Sequence, residues 1–141
     1  MRCNLVFALG FAQAVDWILQ FVRLRTLGGH SAMMVIKTWA NAWTTSTRMH
    51  EVVKFPCVFG CRSHPDSLRH FIECPRLWRA VQQSGLMDSG TAATRLFPPR
   101  LEGLRALVAI FLVYHKIRFQ FLAQVTALLA SPDALHSYIV A

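Results

Sequence analysis

The sequence has few charged residues and very few acidic ones. Only 16% of its 141 residues are charged and 54% are hydrophobic, so it can build a packed core and lacks the composition of a disordered chain. Seven Asp and Glu stand against fifteen Lys and Arg, which gives a formal net charge of +8. A small domain this basic typically meets an anionic partner, with nucleic acid the first expectation and a membrane surface the second.

Motifs that carry catalysis are also missing. The acidic residues are scattered, and no Asp-Asp pair is present to hold the two metal ions that nucleotidyl transfer requires. The sequence contains no P-loop, no G-x-S-x-G and no dinucleotide-binding G-x-G-x-x-G pattern. We therefore expect a protein that is not an enzyme and has no small-molecule substrate.

No uniform apolar run is long enough to cross a bilayer, so we expect no membrane span. The N-terminal segment nevertheless allows two interpretations. Residues 5–11, followed by small residues, resemble a weak signal peptide. We favour an amphipathic helix over about 5–26 in a soluble protein, because the segment separates into two faces. The polar face would carry Gln13, Asp16, Gln20 and Arg23, and the other sides Phe7, Phe11, Ile18, Phe21 and Val22.

The pattern of the whole chain predicts a mainly α-helical fold with an inserted cysteine-rich segment. Four regions are expected: an N-terminal amphipathic helix (1–30), a helix plus the cysteine-rich segment (31–84), a loop (85–100), and a long C-terminal helix with a tail (101–141). In the second region Ser31 can cap a helix that continues through Trp43. Trp39 and Trp43, four residues apart, would share one face of this helix and are expected to pack in the core. The last helix is predicted over about 101–130 because apolar residues recur there with a 3.6-residue period. Its apolar face between 104 and 129 must be covered by the other helices or by a partner protein.

The cysteine-rich segment has the spacing Cys57-x3-Cys61-x8-His70-x3-Cys74. Gly60 allows the tight turn that brings the first two thiols together. Asp66 or Ser67 can cap a helix that places His70 and Cys74 on one face, four residues apart. A loop pair and a helix pair of such ligands are typical of a structural Zn²⁺ site of the CCHC type. We therefore predict one structural zinc ion.

Two alternatives to this ligand set stay open. His64 lies close to Cys61 in sequence and is a reserve ligand, although the helical spacing between His70 and Cys74 favours His70. The four cysteines of the chain could instead pair as disulfides, which would require a secreted protein. The segment could form a separate zinc-bearing lobe with helical flanks, or it could be part of one domain.

The residues from Pro56 to Trp78 resemble a known family. Pro56-Cys57-Val-Phe-Gly-Cys61, followed by Asp66-Ser-Leu-Arg-His70-Phe-Ile-Glu-Cys74-Pro-Arg-Leu-Trp78, is similar to the zinc-binding domain that follows the polymerase in non-LTR retrotransposon reverse transcriptases. That family more often has two residues between its first two cysteines, whereas this chain has three. The resemblance implies a chain that helps to grip RNA or DNA. It also implies an intracellular location, in the nucleus or the cytoplasm, where thiols stay reduced.

Basic residues surround the cysteine-rich segment and alternate with aromatic ones. Phosphate neutralisation by basic groups and stacking on aromatic rings are how proteins hold single-stranded nucleic acid with little sequence preference. The residues predicted to make these contacts are Lys54, Arg62, Arg69, Arg76, Arg79 and Trp78. The alternative for the aromatic residues, which we favour, is that Phe59, Phe71 and Trp78 form the small core of the segment. The alternative functions are a zinc-stabilised protein-interaction module that docks through its long helix, and a retrotransposon remnant without a function.

Overall fold

The computed structural model describes residues 15–52, 54–61, 63–87 and 90–129, and the side chains of these residues as far as residue 120. Within these residues the fold is mainly helical. The six helices are α1 (Trp17–Thr26), α2 (Gly29–Trp39), α3 (Leu68–Glu73), α4 (Pro75–Gln83), α5 (Ala92–Leu96) and α6 (Leu101–Leu129). The predicted α-helical class and the long C-terminal helix are thus confirmed. The one β-type pairing in this part of the chain is an isolated antiparallel bridge between Pro56 and Pro65.

The core of the fold forms around Trp43, whose ring packs against those of Tyr114, Phe111, Phe71 and His115. Its centroid lies 4.7 Å from that of Tyr114, 5.6 Å from that of Phe111 and 5.8 Å from that of Phe71. Since these rings belong to α6 and α3, the residue joins the long helix to the cysteine-rich segment. Trp39 is also buried, so the predicted core packing of both tryptophans is confirmed.

Helix α2 differs from the prediction at both ends. It is preceded by Gly28 rather than by a capping Ser31, which lies inside the first turn. It ends at Trp39, and Asn41 then adopts a positive φ of 51°. Trp43 therefore reaches the core from the turn after the helix and not from its fourth turn. The two tryptophans meet the same core without sharing a helical face.

Helix α1 has the opposite orientation from the one its polar pattern predicts. Gln20 is buried and donates from Nε2 to the Pro98 carbonyl at 3.3 Å, and Arg23 donates to the same oxygen at 3.4 Å. Three residues of the predicted apolar sides face outwards instead, with Ile18 80% exposed and Phe21 and Val22 more than half exposed, whereas Leu24 is buried along with Gln20. The predicted start of this helix near residue 5 and the residues Phe7, Phe11 and Gln13 lie outside the described residues.

The segment 85–100 is not entirely a loop, because it contains α5. Thr91 caps this helix by accepting a hydrogen bond from the Thr94 amide at 3.3 Å. Leu96 at its end is fully buried and accepts a 2.7 Å hydrogen bond from the Trp39 indole through its carbonyl. The short helix therefore ties α2 to the segment that precedes α6.

Helix α6 carries the predicted periodicity as far as its side chains are described. Leu107, Ile110 and Tyr114 are buried, while Arg105 and Lys116 are exposed. Buried apolar residues from α1 to α6, together with the three cysteines, form one hydrophobic cluster. The cysteine-rich segment is thus built into the common core. No helix in the described parts of the chain is both long and apolar enough to span a membrane.

Candidate metal centre

The structure brings the four predicted ligands together. One donor atom each from Cys57, Cys61, His70 and Cys74 lies within 4.8 Å of all the others. The Sγ atom of Cys74 is 3.3 Å from that of Cys61 and 3.8 Å from that of Cys57, and all three thiols are free. Thiolates at a Zn–S distance of 2.3 Å on a tetrahedron are about 3.8 Å apart, so the spacing suits a tetrahedral metal ion. This group could therefore hold a metal.

A tight loop positions the first two ligands. Gly60 adopts a φ of +90°, a conformation that other residues rarely take, and its amide donates to the Cys57 carbonyl at 3.0 Å. The Cys57 amide in turn donates to the His64 carbonyl at 3.0 Å, which closes the loop at its base. A Cβ atom on Gly60 would lie 3.1 Å from the Arg76 guanidinium, so glycine is favoured for its small size as well.

Two short helices position the other pair. Ser67 caps α3 by accepting a hydrogen bond from the His70 amide at 3.2 Å, which selects Ser67 over Asp66 as the cap. Cys74 lies between the end of α3 and Pro75, the first residue of α4. Proline is well suited to the first turn of a helix, where an amide hydrogen would have no partner. The helix N-terminus that follows Cys74 favours a thiolate there.

The imidazole of His70 has a buried nitrogen that lacks a partner. No atom among the described residues forms a hydrogen bond with its Nε2. Burial lowers the pKa of His70, so the ring is neutral at neutral pH. Neutral imidazole with a free nitrogen lone pair is the form that binds metal ions. An unpaired buried nitrogen beside three thiols is therefore explained by a metal ligand role.

The surroundings of Cys74 make ionisation of its thiol unfavourable unless a cation lies close to it. Burial, and then the neighbouring Cys61 and Cys57, raise the pKa of this thiol to about 12, while the Leu77 amide opposes them. A divalent ion reverses this effect, because a coordinating thiol is deprotonated outright. Cys74 is thus favoured as a neutral thiol without a cation and as a thiolate beside a bound metal ion.

His64 is adjacent to the group but does not belong to it. Its ring is exposed and stacks on that of His70 at 4.4 Å between centroids, and its Nδ1 lies 2.9 Å from the Ser63 hydroxyl. The structure therefore brings together the four preferred ligands and leaves the reserve ligand outside.

Replacing His70 with Ala is expected to weaken Zn²⁺ binding by about 100-fold or more, whereas His64→Ala should change it by about threefold at most. The reason is that only His70 directs a nitrogen toward the three sulfurs. Competition titration with a chromophoric chelator measures both affinities. Equal losses in the two variants would contradict the assignment of His70 as the ligand.

The residues predicted to contact nucleic acid fall into three groups. Lys54, Arg69, Arg76 and Arg79 are exposed, and Arg62 lies outside the described residues. Trp78 is only 4% exposed, its indole donates to the Phe71 carbonyl at 2.9 Å, and Arg95 covers its ring at 4.7 Å. The prediction that Trp78 contacts nucleic acid is therefore wrong, because the ring is part of the core.

Sequence reasoning missed the role of Asp66, which lies between the two ligand pairs. Its carboxylate is fully buried and accepts hydrogen bonds from the Ser46 amide at 2.8 Å and from the Tyr114 hydroxyl at 3.2 Å. Arg118 lies 3.9 Å away and forms an ion pair with Glu51. Burial raises the pKa of Asp66, while Ser46, Arg118 and Tyr114 lower it. The only signal in the sequence was an acidic residue inside the motif, since its partners are distant along the chain.

No protein-family model, curated protein or solved structure matches the chain. The arguments for its function therefore rest on its own residues and on the motif between Pro56 and Trp78.

Proposed function

We propose that this chain is a non-catalytic zinc protein that binds RNA or DNA with little sequence preference. The observation that carries the proposal is the group of Cys57, Cys61, His70 and Cys74, whose donor atoms lie within 4.8 Å of one another. The buried Nε2 of the His70 ring has no hydrogen-bond partner among the described residues. Thiolates and imidazole suit Zn²⁺ better than oxygen-preferring ions, and four protein ligands close the site against catalysis. One bound zinc ion would stabilise the fold.

The kinship we propose is with the zinc-binding domain of non-LTR retrotransposon reverse transcriptases. It is supported by the residue pattern from Pro56 to Trp78 and by the way two of its non-ligand residues are used. Asp66 fixes the ligand-bearing segment to α6, and Trp78 packs beneath α3 through its bond to Phe71. Both residues belong to the motif, and both stabilise the fold around the ligands. Reduced thiols at the site favour an intracellular location, in the nucleus or the cytoplasm.

The proposed interface with nucleic acid is the exposed basic surface beside the metal centre. Arg69 lies on α3, Arg76 and Arg79 lie on α4, and Lys54 precedes the metal-binding loop. Arginine suits phosphate because its guanidinium can form two parallel hydrogen bonds. With Trp78 buried, contacts to the backbone would dominate, and such contacts carry no sequence information. Weak sequence preference follows from this.

Replacing Arg69, Arg76 and Arg79 together with Ala should reduce the salt dependence of binding to single-stranded RNA. The slope of log K against log salt is expected to fall by about 2, at about 0.7 for each lost phosphate contact on a single strand. Filter binding at several salt concentrations measures it. The matched control replaces Arg25, Arg100 and Arg105, three exposed arginines on other parts of the fold. An equal change in both triple variants would show a net-charge effect and remove these arginines from the interface.

A further inference from the structure

An open apolar groove runs between α4, α6 and the metal-binding loop. Its volume is about 550 Å³. The residues that form its floor and walls are mostly aliphatic and include Val58, Leu77, Val81, Ile110, Val113 and Ile117. We propose that this groove is a docking site for an amphipathic helix of a partner protein, with acidic residues beside its apolar stripe.

The shape of the groove suits a helix because two helices form its walls. Ala109, Val113 and Ile117 follow one another at four-residue steps along α6. Leu77, Val81 and Ser84 follow at steps of four and three along α4. Rows at these spacings form ridges on a helix surface, and a third helix packs its own ridges between them. Val113 is 49% exposed, so apolar surface remains available for such a partner.

The chemistry of the groove favours protein over nucleic acid. Bases stack on flat aromatic faces, and the groove has one aromatic lining residue, Phe59. That ring is already engaged, since it packs edge-on against Phe71 with centroids 5.1 Å apart. Aliphatic side chains instead match the leucine and isoleucine of an amphipathic helix. Arg76 and Arg79 lie at the edge of this groove and also belong to the basic surface proposed for nucleic acid, so substitutions on the apolar floor, and not at these arginines, distinguish the two proposals.

The charges around the groove indicate which residues a partner helix should carry beside its apolar stripe. Arg76 lines one wall, and Arg79 lies one turn further along α4. On α6 the exposed Arg105 and Lys116 lie one turn from the lining residues Ala109 and Val113. No acidic residue lines the groove within the described part of the chain. A basic rim around an apolar floor attracts a helix with Glu or Asp beside its apolar stripe.

A second copy of this chain matches the groove less well. Besides Leu112 and Phe119 on α6, the exposed apolar residues that a second copy could offer from a helix in the described part of the chain include the stripe of Ile18, Phe21 and Val22 on α1. That helix has basic residues, Arg23 and Arg25, in its last turn and no acidic residue in its first. Like charges across an interface are unfavourable, so the rim disfavours self-docking through α1.

The test uses the full chain loaded with zinc and a fluorescent synthetic 18-residue peptide with a leucine stripe flanked by glutamates. A second peptide carries lysine in place of each glutamate, and fluorescence anisotropy measures the affinity of each. We expect the glutamate peptide to bind at least about tenfold more tightly than the lysine peptide, which corresponds to about 1.4 kcal/mol. Equal binding of the two peptides, or no binding of the glutamate peptide at 100-fold excess over protein, would overturn the proposal.

Two variants locate the site. Val113→Glu places a charge on the floor and should weaken binding of the glutamate peptide by about tenfold or more. Leu112→Glu is the matched control, because Leu112 is also 49% exposed on α6 but does not line the groove. Losses of equal size in both variants would place the peptide elsewhere. Sedimentation of the chain alone completes the test, since a dimer that Val113→Glu dissociates would assign the groove to a second copy instead.

Discussion

Replacing Cys74 with Ser is expected to unfold the whole chain and not only the segment around the metal centre. Cys74 is completely buried, and the cysteines share one hydrophobic cluster with core residues of α2 and α6 such as Val35 and Tyr114. Structural zinc contributes about 10–16 kcal/mol of binding free energy in small zinc domains. That amount equals or exceeds the total stability of a typical domain, about 5–15 kcal/mol. Loss of the ion should therefore remove most of the stability of the fold.

The measurement combines zinc content with hydrogen exchange along α6. In the wild-type chain we expect one zinc ion and slow exchange in residues 104–118. In Cys74→Ser we expect no stoichiometric zinc and exchange at rates typical of an unfolded chain over the same residues. Cys3→Ser is the control, since it makes the same chemical change at the one cysteine outside the motif. Stoichiometric zinc in Cys74→Ser, or a protected α6 beside an unfolded segment 55–80, would contradict the prediction.

The metal-binding group and the long helix could be predicted from the sequence because both depend on local spacing. Ligands four residues apart share a helical face, and a sustained 3.6-residue period predicts α6, which is helical from Leu101 as far as the described residues extend. Gly60 was also recognisable, since a tight turn between two ligands needs its conformational freedom. In each case the physical cause lies within a few residues of its effect.

The orientation of α1 could not be predicted, because periodicity separates two faces without showing which one is covered. The carbonyl of Pro98 accepts hydrogen bonds from both Gln20 and Arg23, and it lies more than seventy residues away in sequence. A buried backbone oxygen needs a donor, so the polar face turns inwards to supply it. The short α5 was missed for a related reason. A five-residue helix is too short to show a period, and its stability comes from the contacts of Leu96 in the core.

The burial of Trp78 shows how composition misleads about an interface. An aromatic residue between two arginines suggested base stacking, yet its indole satisfies the Phe71 carbonyl at the end of α3. The same carbonyl also accepts a hydrogen bond from the Cys74 amide at 3.4 Å, so the Trp78 indole adds a second donor at the end of the helix. The same side chain that resembles a stacking platform in the sequence therefore stabilises the helix that carries His70. The proposed interface then depends on its basic side chains alone.

Replacing Asp66 with Ala is expected to lower the free energy of unfolding by about 3–5 kcal/mol, the usual cost of removing one partner from a buried ion pair. The variant leaves the Ser46 amide and the Tyr114 hydroxyl without acceptors. It also leaves Arg118 with Glu51 as its remaining acidic partner in the described part of the chain. Urea denaturation of the zinc-loaded protein measures the change. Asp16→Ala is the control, because Asp16 is an exposed helix cap whose loss costs about 1 kcal/mol.

Asp66→Asn separates the hydrogen bonds of this carboxylate from its charge. An amide oxygen can still accept from Ser46 and Tyr114 but no longer attracts Arg118. Because burial raises the pKa of Asp66, the ionised carboxylate is held at a cost that the amide avoids. We therefore expect Asp66→Asn to lose less than half as much stability as Asp66→Ala, because the hydrogen bonds contribute the larger share. Equal losses in the two variants would instead show that the attraction between the Asp66 carboxylate and Arg118 contributes most of the stability. A loss no larger than that of Asp16→Ala would show that Asp66 does not join the metal centre to α6.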